Sequence, residues 1–155
     1  MEITIIQLGK DKDSWLKEAI QEYLKRIKPF CKLNIVQLND TSIKTAGTPE
    51  NVAVREGKNV LAKVNPSDYL ILLDEKGEQK SSLEFSTFLT NISSVRSIVF
   101  VIGGVFGSSK ELKERADFCL SMSRLTFTHR ITRLILVEQI YRAMMILNNR
   151  QYHVE

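Results

Sequence analysis

Five runs of mostly apolar residues recur along the chain at the lengths typical of β-strands. They cover residues 2–8, 32–38, 69–75, 97–104 and 118–123. The third run, YLILLDE, is nearly all apolar, which is typical of a central parallel strand that helices cover on both faces. The pattern therefore predicts five β-strands.

The segments between these runs have the three-to-four-residue spacing of amphipathic helices. Apolar residues recur at this spacing in DSWLKEAIQEYLKRIK, and Pro29 ends the pattern. Thr48 and Pro49 provide an N-cap and a first-turn proline for a helix that we expect to run to about Val64. The last predicted helix covers residues 131–149.

Two serine–glutamate pairs have the spacing of capping boxes, in which each side chain bonds a backbone N–H at a helix start. They are Ser81 with Glu84 and Ser108 with Glu111, and each follows a predicted strand. Five strands thus alternate with five helices. This alternation predicts an α/β fold with a mostly parallel sheet of five to six strands, helices on both faces and right-handed crossovers.

The composition is that of a small globular protein with a modest excess of positive charge. The chain has 155 residues, 43% of them hydrophobic, and a net charge of +4. We expect a single domain spanning 1–155. Clustered basic residues attract polyanions such as nucleic acids, but many basic proteins are merely solvated, so the charge alone leaves both interpretations open.

Neither cysteine belongs to a recognisable motif. Cys31 and Cys119 have no CxxC or Cys/His spacing, so we expect reduced thiols and no metal. No segment approaches the roughly 20 apolar residues that span a bilayer, and the first apolar run is too short for a secretion signal. We therefore expect a cytoplasmic protein that makes no membrane contact.

The fourth apolar run ends in a glycine-rich turn, with glycines at 103, 104 and 107. Ligands of parallel sheets bind beyond the carboxyl ends of the strands. The glycine spacing fits neither a dinucleotide-binding loop nor a Walker A loop, so the turn is either a plain strand-to-helix connection or another kind of site. With Leu73, Asp74 and residues 122–127 at the same end, it would form a pocket suited to a neutral heterocycle such as adenine.

Residues 119–153 combine the sequences LSMSRLTFTH and RLILVEQIYRA with a terminal Tyr-His pair. This combination resembles the RlmH family of SPOUT methyltransferases, which modify 23S ribosomal RNA. The first strand with its Gly-Lys, then EYLKRI, REGKNVLAKV, LLDEKG and VIGG, have counterparts in the same order. The resemblance therefore covers essentially the whole chain.

The resemblance implies a C-terminal trefoil knot that binds S-adenosylmethionine, a homodimer, and methylation of N3 of a pseudouridine in 23S rRNA of the ribosome. The glycines would then let the backbone approach the cofactor without an intervening side chain. The cofactor-binding positions that carry over are Leu73, Gly103, Met122, Ser123, Arg124, Leu125, Thr126 and Phe127.

Methyl transfer from a sulfonium needs positioning and a route for the proton of the attacking nitrogen. The family places Tyr152 and His153 near the partner subunit's cofactor, and we expect His153 to position the substrate or handle its proton. Arg133 could contact RNA phosphate or the substrate base, or it could serve an ion pair. We expect His129 to be structural, orienting the knot loop or capping the last helix.

The chain departs from the family pattern at two informative positions. Thr128 stands where family members usually have proline, and Val154 where most have a basic residue. These changes keep a second hypothesis open, a non-catalytic RNA-binding or ribosome-associated protein with the same fold. A third, a flavodoxin-like nucleotide-binding protein, would need a phosphate-binding first loop, where LGKDKDSW offers one glycine and acidic residues.

Overall fold

Five strands and six helices form in the part of the chain that the computed structural model describes, residues 1–94 and 96–154. The strands are β1 (Glu2–Leu8), β2 (Lys32–Leu38), β3 (Tyr69–Gln79), β4 (Ile98–Ile102) and β5 (Phe118–Ser121). The helices are α1 (Ser14–Ile27), α2 (Ile43–Ala46), α3 (Pro49–Leu61), α4 (Ser82–Ser93), α5 (Lys110–Arg115) and α6 (His129–Leu147).

All five strands belong to one sheet with the order β2-β1-β4-β3-β5, and every neighbouring pair is parallel. All five residues of β4 are buried. Ile98, Phe100 and Ile102 pack on the side of α4 and α6, whereas Val99 and Val101 pack on the side of α3 and α5. Each such fully buried side chain contributes about 1.5–3 kcal/mol. The predicted parallel α/β class is confirmed.

Serine or threonine side chains cap five of the six described helices, each accepting a hydrogen bond from a first-turn backbone N–H. The predicted capping box of Ser81 and Glu84 is confirmed. The other predicted box is wrong, because Ser109, not Ser108, caps α5 and accepts from the Leu112 N–H at 3.2 Å. The glycine turn extends the loop by one residue beyond the expected helix start.

The helix ends differ from the predicted ones by about a turn. Helix α3 ends at Leu61 rather than near Val64, and α6 begins two residues earlier than expected. Helix α2 was not predicted, because four residues are too few to show a periodicity. Within the described ranges, no helix is both long and apolar enough to span a membrane.

Strand β3 extends four residues beyond the predicted run at 69–75, because its pairing with β5 stops after Leu73 and resumes at Glu78 and Gln79. Both Leu73 and Glu78 pair with Leu120, so the four residues between them, 74–77, leave the ladder. At Gly77, a Cβ atom would lie 2.6 Å from the carbonyl oxygen of Cys119, which leaves room only for glycine. This excursion, residues 74–77, lies at the carboxyl end of the sheet. The spacing of apolar residues does not predict it.

The amino end of the sheet is closed by a polar network around Asp117. Its carboxylate accepts hydrogen bonds from the backbone N–H of Leu70 at 2.8 Å, from Arg115 at 3.0 Å and from Arg96 at 3.3 Å. Burial alone would raise the pKa of Asp117, but these donors outweigh it and lower the pKa below its usual range. The network therefore joins the beginnings of β3 and β5.

Candidate functional site

A cleft of about 880 Å³ opens at the carboxyl end of the sheet. Its walls come from the ends of β3, β4 and β5, from the loops that follow them and from the start of α6. This volume lies within the roughly 300–1,000 Å³ of typical small-molecule sites. The location is the one expected for ligands of parallel sheets.

Most of the residues proposed from the sequence as cofactor-binding meet in this cleft. The lining includes seven of the eight: Leu73, Gly103, Met122, Ser123, Leu125, Thr126 and Phe127. The eighth, Arg124, is exposed and does not belong to the lining. Asp74, which the strand-end pattern also placed at this edge of the sheet, lines the cleft, and so does Glu75, which the sequence did not single out.

The glycine segment, residues 103–107, is a tight turn that also lines the cleft. The N–H of Gly107 donates to the carbonyl oxygen of Gly104 at 3.1 Å, and Gly107 has a φ of +81°, which favours glycine. A Cβ atom on Gly103 would lie 3.0 Å from the hydroxyl oxygen of Ser108. The two interpretations of these glycines are therefore not exclusive, since the connection itself presents bare backbone to the cleft.

The loop after β5 is ordered by its own hydroxyl groups. Ser121 donates to the carbonyl oxygen of Ser123 at 2.9 Å, and the hydroxyl of Ser123 accepts from the Leu125 N–H at 2.9 Å. Thr126 donates to the carboxylate of Glu75 at 2.9 Å. This last bond joins the loop to the excursion of β3, so two walls of the cleft hold each other in place.

Two ion pairs join the loop after β1 to the start of α6, and we call them the ionic latch. Asp13 pairs with Arg130 at 2.8 Å, and Asp11 pairs with Arg133. Asp13 is the N-cap of α1 but makes no side-chain cap there, its carboxylate being bound to Arg130 instead. No local pattern predicts these pairs, because the partners lie more than a hundred residues apart in the chain.

Arg133 is almost fully enclosed, with 1% of its surface exposed. Its guanidinium donates to Asp11, and its Nε atom has no hydrogen-bond partner within residues 1–94 and 96–154. Arg133 does not belong to the cleft lining, whereas Arg130 of the same latch does. Within one chain, Arg133 therefore forms an ion pair, which is one of the two interpretations that the sequence left open.

His129 lies at the rim of the cleft as the first residue of α6. It does not cap the helix as expected, because the hydroxyl of Thr128 does so by accepting from the Ile131 N–H at 3.4 Å. Burial lowers the pKa of His129, and the charges of Arg130 and Arg133 lower it further, so the imidazole is neutral near pH 7. In the described ranges no cluster of three or more potential metal-ligating side chains occurs.

The C-terminal tail packs against α6 through a shared carboxylate. One oxygen of Glu138 accepts from the hydroxyl of Tyr152 at 3.0 Å and from Arg142 at 2.6 Å, and Arg142 lies 3.5 Å from Nδ1 of His153. The rings of Tyr141 and Tyr152 meet edge to face at 4.7 Å. Burial and hydrogen bonding raise the pKa of Tyr152, so its hydroxyl keeps its proton.

Neither Tyr152 nor His153 belongs to the lining of the cleft in its own chain. Tyr152 packs against the apolar cluster that α6 shares with α1 and α4, and its cation partner is Arg142, at 4.7 Å from the ring centre. The residues proposed from the sequence thus lie in separate places. Seven line the cleft, while Tyr152 and His153 lie beside α6 in a network of charged groups. Arg133 is buried in the ionic latch, and Arg124 is exposed.

Comparison with known proteins identifies the class to which this fold and cleft belong. A family model described as "Predicted SPOUT methyltransferase" matches residues 1–153. The ribosomal RNA large subunit methyltransferase H of Carboxydothermus hydrogenoformans is 45% identical over 158 residues, covering 99% of each chain. The proteins of that name from Clostridium kluyveri and Porphyromonas gingivalis are 40% and 38% identical, with 99% and 100% of each chain covered.

The chain belongs to the SPOUT methyltransferase family. This membership confirms the family that the C-terminal sequence motifs predicted, and it implies the knotted α/β fold. A methyltransferase requires a methyl donor, and the cleft at the carboxyl end of the sheet has the size for one.

Proposed function

We propose that this protein transfers a methyl group from S-adenosylmethionine to N3 of a pseudouridine in 23S rRNA, acting on the ribosome in the cytoplasm. The observation that carries the proposal is the cleft, in which seven of the eight family cofactor positions meet. The names of three full-length relatives, each a large-subunit rRNA methyltransferase, support the choice of substrate. The net charge of +4 suits a polyanionic partner.

The residues of the cleft fit this cofactor by their chemistry. Bare backbone at Gly103 allows close approach, and the side chains of Ile102 and Leu120 offer apolar surface to an adenine ring. The carboxylates of Asp74 and Glu75 provide negative charge for an amino group and a sulfonium. When bound, the cofactor would supply an electrophilic methyl group to N3 and leave as a neutral thioether, and the N3 proton would pass to solvent.

The tail supplies groups that can hold the substrate base. Arg142 is always protonated and donates, so Nδ1 of His153 is an acceptor and its Nε2 carries the hydrogen when the ring is neutral. An Nε2–H group can donate to a uracil carbonyl and orient the base for attack through N3. Tyr152, which keeps its proton and donates to Glu138, holds the tail in place and is not a base.

We propose further that the active protein is a homodimer in which the tail of one subunit completes the cleft of the other. Within one chain, neither Tyr152 nor His153 lines the cleft, and this separation supports a site shared between two copies. The latch residue Arg133 then acts from inside the chain, by holding the start of α6 beside the cofactor loop. A closed two-fold dimer would contain two such shared sites.

The first test measures methyl transfer from labelled S-adenosylmethionine to ribosomes that lack the modification. We expect label on a single pseudouridine with the intact chain. His153→Ala should lower kcat/KM by about 100-fold or more while leaving cofactor affinity within about twofold. Lys63→Ala, an exposed residue far from the tail in the sequence, is the matched control. Cofactor binding without label on any ribosomal particle would favour the non-catalytic RNA-binding hypothesis.

A mixing experiment tests the shared site. Dimers that combine a His153→Ala subunit with a subunit carrying a bulky Gly103→Trp substitution in the cleft contain one intact cleft served by one intact tail. Purified mixed dimers should therefore show about half of the wild-type rate, and a randomly paired co-expressed population about a quarter, although each variant alone is inactive. A site built within one chain would give no recovery on mixing.

A further inference from the structure

A buried carboxylate lies directly beneath the glycine segment. Glu56, in the middle of α3, has only 4% of its surface exposed. One of its carboxylate oxygens accepts from the backbone N–H of Thr41 at 2.9 Å, in the loop that follows β2. The other, Oε2, is buried and has no hydrogen-bond partner among residues 1–94 and 96–154. Neither the cleft lining nor the family cofactor positions include Glu56.

The unpartnered oxygen fills the space that a side chain at position 104 would need. A Cβ atom on Gly104 would lie 2.3 Å from Oε2 of Glu56 and 3.4 Å from a methyl carbon of Leu8. The φ angle of Gly104 is outside the left-handed region, so a side chain is excluded there by lack of room and not by the backbone conformation. Glu56 and Gly104 are therefore complementary in shape.

The neighbouring residue of α3 meets the far end of the same loop. A Cβ atom on Gly57 would lie 2.2 Å from the hydroxyl oxygen of Ser109, and this hydroxyl caps α5. Two consecutive residues of α3 thus contact the connection between β4 and α5 at both of its ends. The position of the glycine segment relative to the sheet is set by α3.

We propose that Glu56 is a positioning residue. It packs against the side of the glycine segment that faces away from the cleft, and it thereby sets the distance between this segment and the cofactor. The inference rests on the proposed function, because it assumes that the cleft holds S-adenosylmethionine. A buried carboxylate with one unpartnered oxygen lowers stability, and natural proteins keep such groups where function requires them. The contact with Thr41 couples the segment to the loop after β2 through one side chain.

A double-mutant cycle with Glu56→Ala and Gly104→Ala tests this support directly. Gly104→Ala alone should weaken S-adenosylmethionine binding by about tenfold or more, because the new methyl group displaces the segment. Glu56→Ala alone should weaken it by about three- to tenfold without lowering the unfolding midpoint of the cofactor-free chain. The double variant should bind more tightly than Gly104→Ala, because the space vacated at 56 accepts the methyl group.

Two further variants separate shape from charge and from general damage to α3. Glu56→Gln keeps the length of the side chain and its bond to Thr41, so its affinity should stay within about twofold of wild type. Glu50→Ala changes an exposed glutamate in the first turn of the same helix and should not alter binding. If Gly104→Ala does not fold, a cooperative unfolding transition recovered in the double variant is the expected rescue.

The outcomes distinguish this inference from the proposed function. Additive effects of the two substitutions, in a wild type that binds S-adenosylmethionine, would overturn the supporting role of Glu56 alone. A wild-type chain that binds no S-adenosylmethionine would overturn the proposed function and the positioning role with it. Calorimetric titration with S-adenosylmethionine and thermal unfolding of the cofactor-free chain provide both readouts, and neither depends on ribosomes.

Discussion

The two ends of the sheet differ in how completely the polar side chains near the strand ends are hydrogen-bonded. At the amino end, the Asp117 carboxylate accepts hydrogen bonds from a backbone N–H and from two arginines. At the carboxyl end lie all three buried side-chain polar atoms that have no hydrogen-bond partner in the described part of the chain. They are Oε1 of Gln7 at the end of β1, Oε2 of Glu56 and Nε of Arg133.

This difference separates what stabilises the fold from what prepares the site. Each unpartnered buried polar atom costs about 1–3 kcal/mol, so the carboxyl end is not arranged for greatest stability. It is arranged so that loops from distant parts of the chain meet around one cleft. We therefore expect substitutions at the amino end to change stability alone, and those at the carboxyl end that displace a loop of the cleft to change cofactor binding as well.

The largest effect should come from Arg133→Met in the ionic latch. The substitution leaves the carboxylate of Asp11 buried without its cation, which should lower the free energy of unfolding by about 3–5 kcal/mol. It should also weaken cofactor binding, because the start of α6 borders the cleft. Urea unfolding and calorimetric titration measure the two effects.

A second substitution decides how Arg133 acts. Adding Asp11→Asn to Arg133→Met removes the unpaired charge and should recover more than half of the lost stability. A variant of Arg133 that kept full stability and cofactor affinity but lost transfer to RNA would point to direct contact with the substrate, the other interpretation of this residue.

Asp117→Ala should have the next largest effect and test the other half of the comparison. It removes an acceptor from the Leu70 N–H and leaves Arg96 and Arg115 without their carboxylate, which should cost about 2–3 kcal/mol. The affinity of the folded fraction for S-adenosylmethionine should not change. A loss of affinity at temperatures where the variant is fully folded would contradict the separation of the two ends.

Local patterns predicted the sheet and the location of the cleft, and the family resemblance supplied its cofactor-binding residues. Strand β2 was predicted with its bounds, and the capping box of Ser81 follows from spacing alone. The ionic latch and the support by Glu56 escaped prediction, because they join side chains that only the fold brings together. The excursion of β3 escaped because an interrupted ladder leaves no trace in hydrophobic alternation.

Glu56→Gln should show that a buried carboxylate at the carboxyl end of the sheet lowers the free energy of unfolding. Burial raises the pKa of Glu56 above its ordinary 4.5, partly offset by the bond from Thr41, and the nearby charge of Asp40 raises it further. Because the pKa is raised in the folded state, the contribution of Glu56 to the free energy of unfolding is greatest below the ordinary pKa. This contribution is lost as pH rises through the folded-state pKa. The variant should therefore be more stable than wild type near pH 7, by about 1 kcal/mol.

The measurement is the unfolding midpoint as a function of pH. The advantage of Glu56→Gln should shrink as pH falls toward and below the ordinary pKa of the carboxyl group, 4.5, because the carboxyl then becomes neutral in both the folded and the unfolded chain. A constant difference across the whole range would mean that the substitution acts through packing. An advantage that grew toward acid pH would reverse the sign and contradict the burial argument.

The smallest effect should come from Thr128→Pro, which restores the residue that family members usually have. The φ angle of Thr128 is −63°, the value that proline imposes, so the substitution fits the backbone. It removes a long cap bond of 3.4 Å but restricts the unfolded chain, and these contributions of about 0.5–1 kcal/mol oppose each other. Urea unfolding should therefore show a change within about 0.5 kcal/mol, with cofactor affinity unaltered. A larger loss of stability would mean that the threonine cap, unlike proline, is needed to begin α6 at His129.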